Sequence, residues 1–442
     1  MAADKPTPVG EAEAGELFCG LVSEMAIAVA VSGGPDSLAL AALMARWRDQ
    51  LNDPPRLHAL VVDHGLRPES AVEAQRTGRT LKALGLDATI VTLSGLPASN
   101  VHAAARVARY DAMTDWMALN GFDVLATAHH RDDQLETVIM RMARDTDAGI
   151  AGIPASGWWA DRRLVRPLLS LPKSRLVATV RSFGLDPVLD PSNDDPRFER
   201  ARVRHAIMQG QLPMPGPELL TRAQAAAEAQ DELDTAAWKL AGGTLQLYPH
   251  GIACLDVAAF MDADRRVRSW LLRSVARDMG GNTVPPAREK LDRLEQRLSD
   301  FATGDRSAGF AGATLAGVRF QRALGPSRRG MIVISRERGR NAASPTALRA
   351  GQSCLFGRCF RVITSYEHTY EGLHIATRQG LARSKMEDLP DTIPASVMAG
   401  IPFVLSGETP LFPLISDEAR AKMIRARWCG LRFGKLRVEA RC

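Results

Sequence analysis

A stretch of six residues near the start of the chain has the composition of a phosphate-binding turn. From Ser32 to Ser37 it reads Ser-Gly-Gly-Pro-Asp-Ser, and it follows the apolar run from Met25 to Val31. Glycines let a backbone approach an anion closely, and a helix beginning at Pro35 would aim its free N–H groups and dipole at that anion. The spacing matches neither a Walker P-loop nor a Rossmann turn. The stretch therefore predicts a phosphate site of another type, with a plain strand–turn–helix connection as the alternative.

A second polar stretch, between Thr127 and Thr137, combines two histidines with three carboxylates. Asp132 and Glu136 are four residues apart, which places them on the same face of a helix. Beside a triphosphate, such carboxylates could bind Mg²⁺ together with water and substrate oxygens. Acidic residues in a first helical turn also complement the helix dipole, so a surface role is the alternative. The spacing is not typical of a zinc site.

Four apolar segments alternate with helical segments and would position these residues. The predicted strands are Met25–Val31, Leu57–Val62, Ala88–Leu93 and Phe122–Ala128. This alternation is typical of an α/β fold with a doubly wound parallel sheet, in which ligands bind at the carboxyl ends of the strands. The phosphate-type turn, Asp63-His64 and His129-His130 all follow strands, so we expect them to meet at one edge of the sheet.

The intervening helices have recognisable ends. We expect helices from Pro35, from Ser70 and over Asn100–Leu119; Ser70 would cap its helix in a capping box with Glu73, and Gly85 would end it.

The pattern changes in the second half of the chain. Helices are predicted over Lys173–Phe183, Glu218–Leu240, Arg265–Arg277 and Ala287–Leu298, and short strands over Met331–Ser335, Cys354–Ile363 and Leu373–Thr377. A chain of 442 residues is also too long for a single core. We expect a catalytic domain over residues 1–215, a helical middle domain over 216–302 and a small mixed C-terminal domain over 303–442.

Composition narrows the class of protein. With 45% hydrophobic and 24% charged residues the chain is typical of globular proteins, and it has no apolar run that could cross a membrane. The six cysteines include no C-x-x-C pair, and the first eight residues lack a basic and apolar leader. We therefore expect a cytoplasmic protein without a membrane partner.

Charge is concentrated at the C-terminus. The net charge is +6, and residues 420–442 contain eight Lys or Arg but one Glu. This suits a polyanionic partner such as RNA, although solvated basic tails are common.

Several segments together resemble one enzyme family. The turn Ser32-Gly33-Gly34-Pro35-Asp36-Ser37 resembles the pyrophosphate loop of the N-type PP-loop ATP pyrophosphatases. With it, four further segments resemble the tRNA(Ile)-lysidine synthetases within that group: Val62–Arg67, Ala105–Tyr110, Ala128–Thr137, and Asp190–Asn193 followed by Arg200–Arg204. The resemblance covers about Met25 to His205.

The resemblance implies a two-step reaction on the CAU anticodon of isoleucine tRNA. ATP would adenylate O2 of the wobble cytidine with release of pyrophosphate, and the ε-amine of free L-lysine would then attack C2 and expel AMP. ATP is the implied co-substrate and Mg²⁺ the implied ion.

It also implies roles for individual residues. Catalysis would fall to Asp36, His129 and Asp133. ATP would be bound by Ser32, Gly33, Gly34, Pro35, Asp36, Ser37, Asp63, His64 and Arg106. The tRNA and lysine would be bound by Arg109, Asp132, Glu136, Asn193, Arg200, Arg202 and Arg204, and the metal by Asp36 and Asp132.

Two other functions stay open from the sequence. One is a tRNA-thiolating PP-loop enzyme, although such enzymes commonly use C-x-x-C pairs. The other is a catalytically inactive, nucleotide-gated RNA-binding protein, although both polar motifs are intact. The sequence leaves the oligomeric state open, with a homodimer among the options.

Overall fold

The computed structural model describes residues 6–65, 69–93, 101–143, 150–188, 196–197, 199–281, 285–304, 310–325, 328, 330–337, 344–377, 393–407, 409–421, 423–433 and 436–438. The chain divides into two compact units, Met1–Gln230 and Asp231–Cys442. The sequence-based division at residues 215/216 and 302/303 stays a prediction. No helix within the described ranges is long and apolar enough to cross a membrane.

The first unit alternates strands and helices. Its elements in chain order are α1 (Glu11–Phe18), β1 (Ala26–Val31), α2 (Pro35–Arg48), β2 (Arg56–Asp63), α3 (Ser70–Ala83), β3 (Asp87–Thr92), α4 (Val101–Asn120), β4 (Val124–Ala126), α5 (Arg131–Ala143), β5 (Ser156–Trp159), β6 (Arg162–Val165), α6 (Lys173–Ser182), α7 (Glu199–Met208) and α8 (Gly216–Thr244), the last of which contains the boundary between the units.

The predicted parallel sheet is confirmed. Six strands lie in the order β3-β2-β1-β4-β6-β5. The first five are parallel, and β5 is antiparallel to β6 at the edge. Strand β1 is central, with Ile27 in register with Leu57 on one side and Val124 on the other. The carboxyl ends of β1, β2 and β4 therefore meet at one edge, as the sequence predicted.

The two faces of the sheet carry separate cores because side chains alternate along each strand. Ile27 and Val29 of β1 pack in one cluster with α2. Ala26 and Ala28 face the other way, into a cluster that includes Tyr110 of α4. Helices thus cover both faces, which is why β1 is a continuous apolar run rather than an alternating one.

Helix α1 was not predicted from the sequence. It packs against α2 through Phe18, whose ring centroid lies 5.4 Å from that of Trp47. Because α1 and α6 both contact α2, every residue of α2 from Ser37 to Ala45 is buried.

The predicted role of Ser70 was wrong. Glu69, not Ser70, precedes the first turn of α3, and no side chain caps that helix. The Ser70 hydroxyl instead donates a hydrogen bond of 2.6 Å to Oδ1 of Asp63, because the strand end brings this carboxylate within reach. Gly85 has the positive φ, +70°, expected of a helix-ending glycine.

The second unit contains short helices and several small sheets. Its elements are β7 (Leu245–Tyr248), β8 (Ile252–Asp256), α9 (Val257–Met261), α10 (Arg265–Gly280), α11 (Arg288–Thr303), β9 (Ala313–Leu315), β10 (Val318–Arg322), β11 (Met331–Arg336), β12 (Thr346–Ala347), β13 (Ser353–Phe356), β14 (Phe360–Thr364), β15 (Leu373–Thr377), β16 (Pro402–Ser406), β17 (Thr409–Pro413), α12 (Asp417–Ala421), β18 (Ile424–Trp428), β19 (Leu431–Phe433) and β20 (Leu436–Val438).

Long-range pairing in this unit explains two differences from the sequence prediction. Strands β7 and β8 were not predicted; β8 pairs with β11, with Leu255 opposite Ile332, so residues far apart in sequence share one sheet. The predicted single strand Cys354–Ile363 is a hairpin of β13 and β14, which turns where Arg358 has φ +62°. The helices and the other short strands are confirmed within a few residues.

One C-terminal arginine has a structural contact. Asp278 is buried in α10 and accepts hydrogen bonds from the backbone N of Arg432 at 2.7 Å and from its Nε at 2.9 Å. Arg277 also pairs with Asp278 at 2.8 Å. Arg432 therefore fixes β19 to α10 and is not an unpaired basic residue of the tail.

Candidate active site

The turn from Ser32 to Ser37 connects β1 to α2 and is shaped by its own side chains. Gly33 has φ +83°, and a Cβ there would lie 2.4 Å from Oγ1 of Thr77, so the position requires glycine. The Ser37 hydroxyl donates to the carbonyl of Gly34 at 3.0 Å and accepts from the backbone N of Ser32 at 3.1 Å. Pro35 begins α2. The local sequence therefore builds the helix N-terminus and tight turn that suit a phosphate.

The strand ends of the sheet surround one cavity of about 250 Å³. Eight of the predicted site residues line it: Ser32, Ser37, His64, Arg106, Arg109, His129, Asp133 and Arg200. The remaining wall is largely apolar and includes Leu60, Val62, Tyr110 and Met113. A pocket in which an apolar wall faces convergent polar groups is typical of a small-molecule site. The side of the cavity with Ser32 suits a phosphate and the apolar side a flat ring.

Asp63 supports this cavity from the end of β2 without lining it. Its Oδ1 accepts hydrogen bonds from the backbone N of Gly65 at 2.9 Å and from Ser70. The hydrogen bond from Ser70, followed by that from Gly65, lowers the pKa of Asp63. The carboxylate therefore fixes the turn that carries His64.

Two arginines of α4 lie over an aromatic ring. The guanidinium carbons of Arg106 and Arg109 lie 5.2 Å and 5.5 Å from the ring centroid of Tyr110. Tyr110 in turn stacks on Trp159 with centroids 4.7 Å apart, and Trp159 donates to Asp111 at 2.7 Å. Burial lowers the pKa of Arg109, because a desolvated cation is disfavoured. The aromatic pair thus holds two cations at the cavity wall.

His129 is a neutral imidazole at the end of β4. Its Nδ1 lies 3.0 Å from Oγ1 of Thr127. Burial lowers its pKa to about 3, and the positive charges of Arg166 and Arg106 act in the same direction. A pKa of about 3 leaves the imidazole uncharged at physiological pH, so it can form hydrogen bonds in the cavity without adding positive charge.

His130 was not among the predicted site residues, yet it joins two of them. Its Nε2 lies 3.5 Å from Oδ2 of Asp36 and 3.5 Å from Oδ2 of Asp133. Burial alone would lower the pKa of His130, but the hydrogen bond to Asp36 and the charge of Asp133 outweigh it and raise the pKa. Burial would also raise the pKa of Asp36, and the hydrogen bond and charge of His130 lower it instead. The sequence signal that could have identified this residue is its place beside His129 at the strand end.

Lys173 is a second residue that the sequence did not identify. Its Nζ lies 3.6 Å from Oδ2 of Asp36, and its backbone N donates to Oδ2 of Asp132 at 3.2 Å. Asp132 therefore binds the N-terminus of α6. No sequence signal links Lys173 to Asp36, because their contact depends on the path of the chain from β6 to α6.

Glu136 holds the helix α7 that carries the arginine-rich segment. It is 2% exposed, and its two oxygens accept from Nε of Arg200 at 2.6 Å and Nε of Arg204 at 2.8 Å. Arg200 also donates to Oδ1 of Asp133 at 3.3 Å. Because α7 docks on α5, Glu136 lies behind the cavity wall and Arg200 lies in it.

Comparison with known proteins agrees with this geometry. Residues 9–211 match the model of a PP-loop domain. A tRNA(Ile)-lysidine synthase from Rhodopseudomonas palustris is 38% identical over 73% of this chain and 97% of its own length. One from Bradyrhizobium diazoefficiens is 34% identical over 79% of this chain and 98% of its own length.

The chain belongs to the tRNA(Ile)-lysidine synthase family. A solved U34-tRNA thiolase, NcsA from Methanococcus maripaludis with its [4Fe-4S] cluster, aligns with 49% of this chain and 78% of its own, with 17% identity and a TM-score of 0.41.

In this member of the lysidine synthase family, the predicted site residues fall into three groups. Eight line the cavity, as given above. Others support it from behind or beside it: Gly33, Gly34, Pro35, Asp36, Asp63, Asp132, Glu136 and Arg204. Arg202 is exposed and donates to the carbonyl of Pro196 at 3.0 Å. Asn193 lies outside the described residues.

The carboxylates of the site fit a magnesium ion, which the family's reaction with ATP implies. Oδ1 of Asp36 is buried and has no hydrogen-bond partner among the described residues, so a carboxylate oxygen stays available for a ligand. No three His, Cys, Asp or Glu side chains in the described ranges group as a ligand set. The available Oδ1 of Asp36 suits Mg²⁺, which commonly takes one or two carboxylates and completes its shell with phosphate oxygens and water.

Proposed function

We propose that this protein joins lysine to C2 of the wobble cytidine in the CAU anticodon of isoleucine tRNA, at the expense of ATP. O2 of the cytidine attacks the α-phosphorus, and the bond to the β-phosphate oxygen breaks to release pyrophosphate. The ε-amine of lysine then attacks C2, and AMP leaves. The lysidine formed pairs with A instead of G, which changes codon and amino-acid specificity from Met to Ile.

One structural observation supports this proposal in addition to family membership. The phosphate-type turn, the neutral imidazole of His129 and the carboxylate of Asp133 line one cavity of about 250 Å³. ATP cleavage requires the first of these, and lysine activation requires a carboxylate that binds the ammonium group, with an uncharged neighbour that does not repel it. Their presence in a single cavity supports an enzyme that performs both steps.

The first step needs positioning and neutralisation of charge. We assign the triphosphate to the turn formed by Ser32, Gly33, Gly34, Pro35, Asp36 and Ser37, with Asp63, His64 and Arg106 as further ATP contacts. Arg106 and Arg109 present positive charge beside this turn. They would offset the negative charge that develops as the α-phosphorus is attacked.

The metal assignment rests on Asp36 and Asp132. Mg²⁺ bound by these carboxylates and by phosphate oxygens would supply charge neutralisation of the departing pyrophosphate. The free Oδ1 of Asp36 supports its part. Asp132 uses Oδ2 for the backbone N of Lys173, which leaves its Oδ1 for the ion.

The second step needs lysine with a neutral amine, although the amine has a pKa of ~10.4 in water. Asp133 would bind the lysine ammonium, orient it and take its proton in the closed site, and the neutral His129 would accept a hydrogen bond from the amine without repelling it. Both side chains line the cavity, and the guanidinium of Arg200 contacts Oδ1 of Asp133 at 3.3 Å. Asp36, His129 and Asp133 are thus the proposed catalytic residues.

The tRNA is assigned to the basic side chains around the cavity and on α7. Arg109 and Arg200 line the cavity, and Arg202 lies exposed on the same helix as Arg204. Arginines bind phosphate oxygens in a bidentate manner, which suits a nucleic-acid backbone. With Glu136 and Asn193, these residues complete the proposed tRNA and lysine contacts. A cytoplasmic location belongs to the same proposal.

The test is incorporation of labelled lysine into unmodified isoleucine tRNA with a CAU anticodon, in the presence of ATP and Mg²⁺. Methionine tRNA is the control substrate, and an Asp36→Ala protein is the blank. Label in the isoleucine tRNA alone supports the proposal. AMP and pyrophosphate formation without lysine incorporation would favour sulfur transfer, and no ATP cleavage would favour an inactive RNA-binding protein.

A further inference from the structure

Lys173 is held beside Asp36 by the chain on both sides of it. The segment before it is anchored by Leu168 and Leu171, which are buried in the core beside α2. The carbonyl of Leu171 accepts from the backbone N of Arg131 at 2.8 Å. Pro172 precedes the first turn of α6, and the backbone N of Lys173 binds Asp132. The Cα of Lys173 therefore has a defined place beside α5, and its side chain extends from that place to Asp36.

In the ion pair between Lys173 and Asp36, the lysine ammonium group can exchange the carboxylate for another partner. The distance of 3.6 Å from Nζ to Oδ2 is longer than a hydrogen bond, and 40% of the lysine side chain is exposed. His130 contacts the same oxygen from the interior, where its side chain is 3% exposed. The inner partner of Asp36 is thus fixed, and the outer partner is a flexible ammonium group.

Asp36 is the second residue of α2 and belongs to the turn that we assign to the triphosphate. A lysine that reaches Asp36 also reaches the space in front of this turn, because its ammonium group is carried on a flexible chain of four carbons. The ammonium group has three N–H donors for a new partner. An ammonium group is suited to follow an oxygen that gains charge during bond cleavage. No other lysine in the described ranges forms an ion pair with a residue of the turn.

We propose that Lys173 binds the departing pyrophosphate and is a catalytic residue for the first step. As the bond between the α-phosphorus and the β-phosphate oxygen breaks, the electron pair stays on that oxygen. The ammonium group of Lys173 moves from Asp36 to this oxygen and neutralises it. This inference rests on the proposed function, since it assigns a residue to its adenylation step.

The main measurement is single-turnover pyrophosphate release from ATP with isoleucine tRNA and Mg²⁺, without lysine. Lys173→Met should reduce the rate about 100-fold, as expected for loss of one group that stabilises a transition state. Lys173→Arg should retain part of the rate because it keeps the charge. Lys82→Met, at an exposed position of α3, is the matched control and should behave as the unchanged protein.

A second readout separates catalysis from a structural role. ATP analogues with CH₂, CHF or CF₂ between the β- and γ-phosphorus change the basicity of the departing group. If Lys173 neutralises that group, the rate in Lys173→Met should fall more steeply as the basicity rises than it does in the unchanged protein. Attack of lysine on isolated adenylated tRNA should be unaltered in the variant. If the methionine variant does not fold, Lys173→Gln takes its place in both measurements.

The outcomes distinguish this inference from the proposed function. If the unchanged protein releases no pyrophosphate with tRNA, the proposed function fails. If the unchanged protein is active and the Lys173 variant reacts equally fast, only the inference fails. A uniform decrease with every analogue, without a steeper dependence on basicity, would also overturn it, because a structural role predicts that result.

Discussion

Nε2 of His130 lies 3.5 Å from Oδ2 of Asp36, although the two residues belong to different strand–helix connections of the sheet. The same nitrogen lies 3.5 Å from Oδ2 of Asp133. One buried imidazole therefore links the carboxylate assigned to the metal with the carboxylate assigned to lysine. This geometry makes His130 a positioning residue between the two half-reactions.

Replacement of His130 should consequently impair both steps. We expect His130→Asn to lower the rate of tRNA-dependent AMP formation roughly 10- to 100-fold, because small displacements of reacting groups have effects of this size. Both pyrophosphate release without lysine and lysine attack on adenylated tRNA should slow. His368→Asn, at an exposed position of the second unit, is the control. An effect on one half-reaction alone would contradict the linking role.

The phosphate turn should tolerate a methyl group at Gly34 better than at Gly33. An added Cβ at Gly33 meets Thr77 Oγ1 at 2.4 Å and the backbone has φ +83°, whereas a Cβ at Gly34 meets Ser32 Oγ at 3.6 Å. Backbone strain of this kind costs about 1–3 kcal/mol. Gly33→Ala should therefore weaken ATP binding roughly tenfold or more, measured by calorimetry with ATP and Mg²⁺.

Gly34→Ala is the matched control for that measurement and should cause the smaller loss. The double variant Gly33→Ala, Thr77→Ala removes the contact with Oγ1 but not the strained φ, so it should recover part of the affinity. Equal losses for the two alanine variants would show that the turn does not depend on the backbone conformation of Gly33.

Glu136 should control how firmly α7 is held. Glu136→Gln removes the charge that binds Nε of Arg200 and of Arg204, and we expect a loss of about 1–2 kcal/mol in the docking of α7, since both arginines are partly exposed. Native-state cleavage by trypsin within α7 should therefore become roughly tenfold faster. Glu218→Gln, which breaks an exposed pair with Arg222, should leave this cleavage unchanged. Unchanged cleavage in Glu136→Gln would show that α7 docks by other contacts.

The pH dependence of stability should report the neutral state of His129. Its pKa is about 3 in the folded protein, well below the ordinary value of 6.5, so the unfolded chain binds a proton there first as the pH falls. Between pH 7 and pH 5 the free energy of unfolding should fall by about 2 kcal/mol more in the unchanged protein than in His129→Gln.

Denaturant unfolding of both proteins at a series of pH values measures this difference. Of these two adjacent histidines, only His129 causes a loss of stability as the pH falls. The pKa of its neighbour His130 is raised, so protonation of His130 increases the free energy of unfolding as the pH falls. Parallel pH dependence of the two proteins would show that His129 is not held neutral. The same experiment on Thr127→Val tests the contact with Nδ1 at 3.0 Å.

The sequence alone determined the sheet and the edge at which the site lies. A continuous apolar strand, a glycine turn and a helix that begins at Pro35 are local features. The spacing of apolar residues and the types of turn residues predict their positions within a few residues. Because strands alternate with helices, the ends of β1, β2 and β4 had to meet. The motifs also indicated the family, which the relatives confirm.

Tertiary structure alone decided which residues of those motifs face the cavity. His129 and His130 are neighbours in sequence, yet one lines the cavity as a neutral imidazole and the other is buried between carboxylates. The docking of α7 pairs Glu136 with Arg200 and Arg204, and the motif did not predict these pairs. Lys173 carried no motif signal at all. Such contacts depend on how α5, α6 and α7 pack. Packing brings together residues that are far apart in the chain and at no regular spacing, so a sequence pattern cannot predict their contacts.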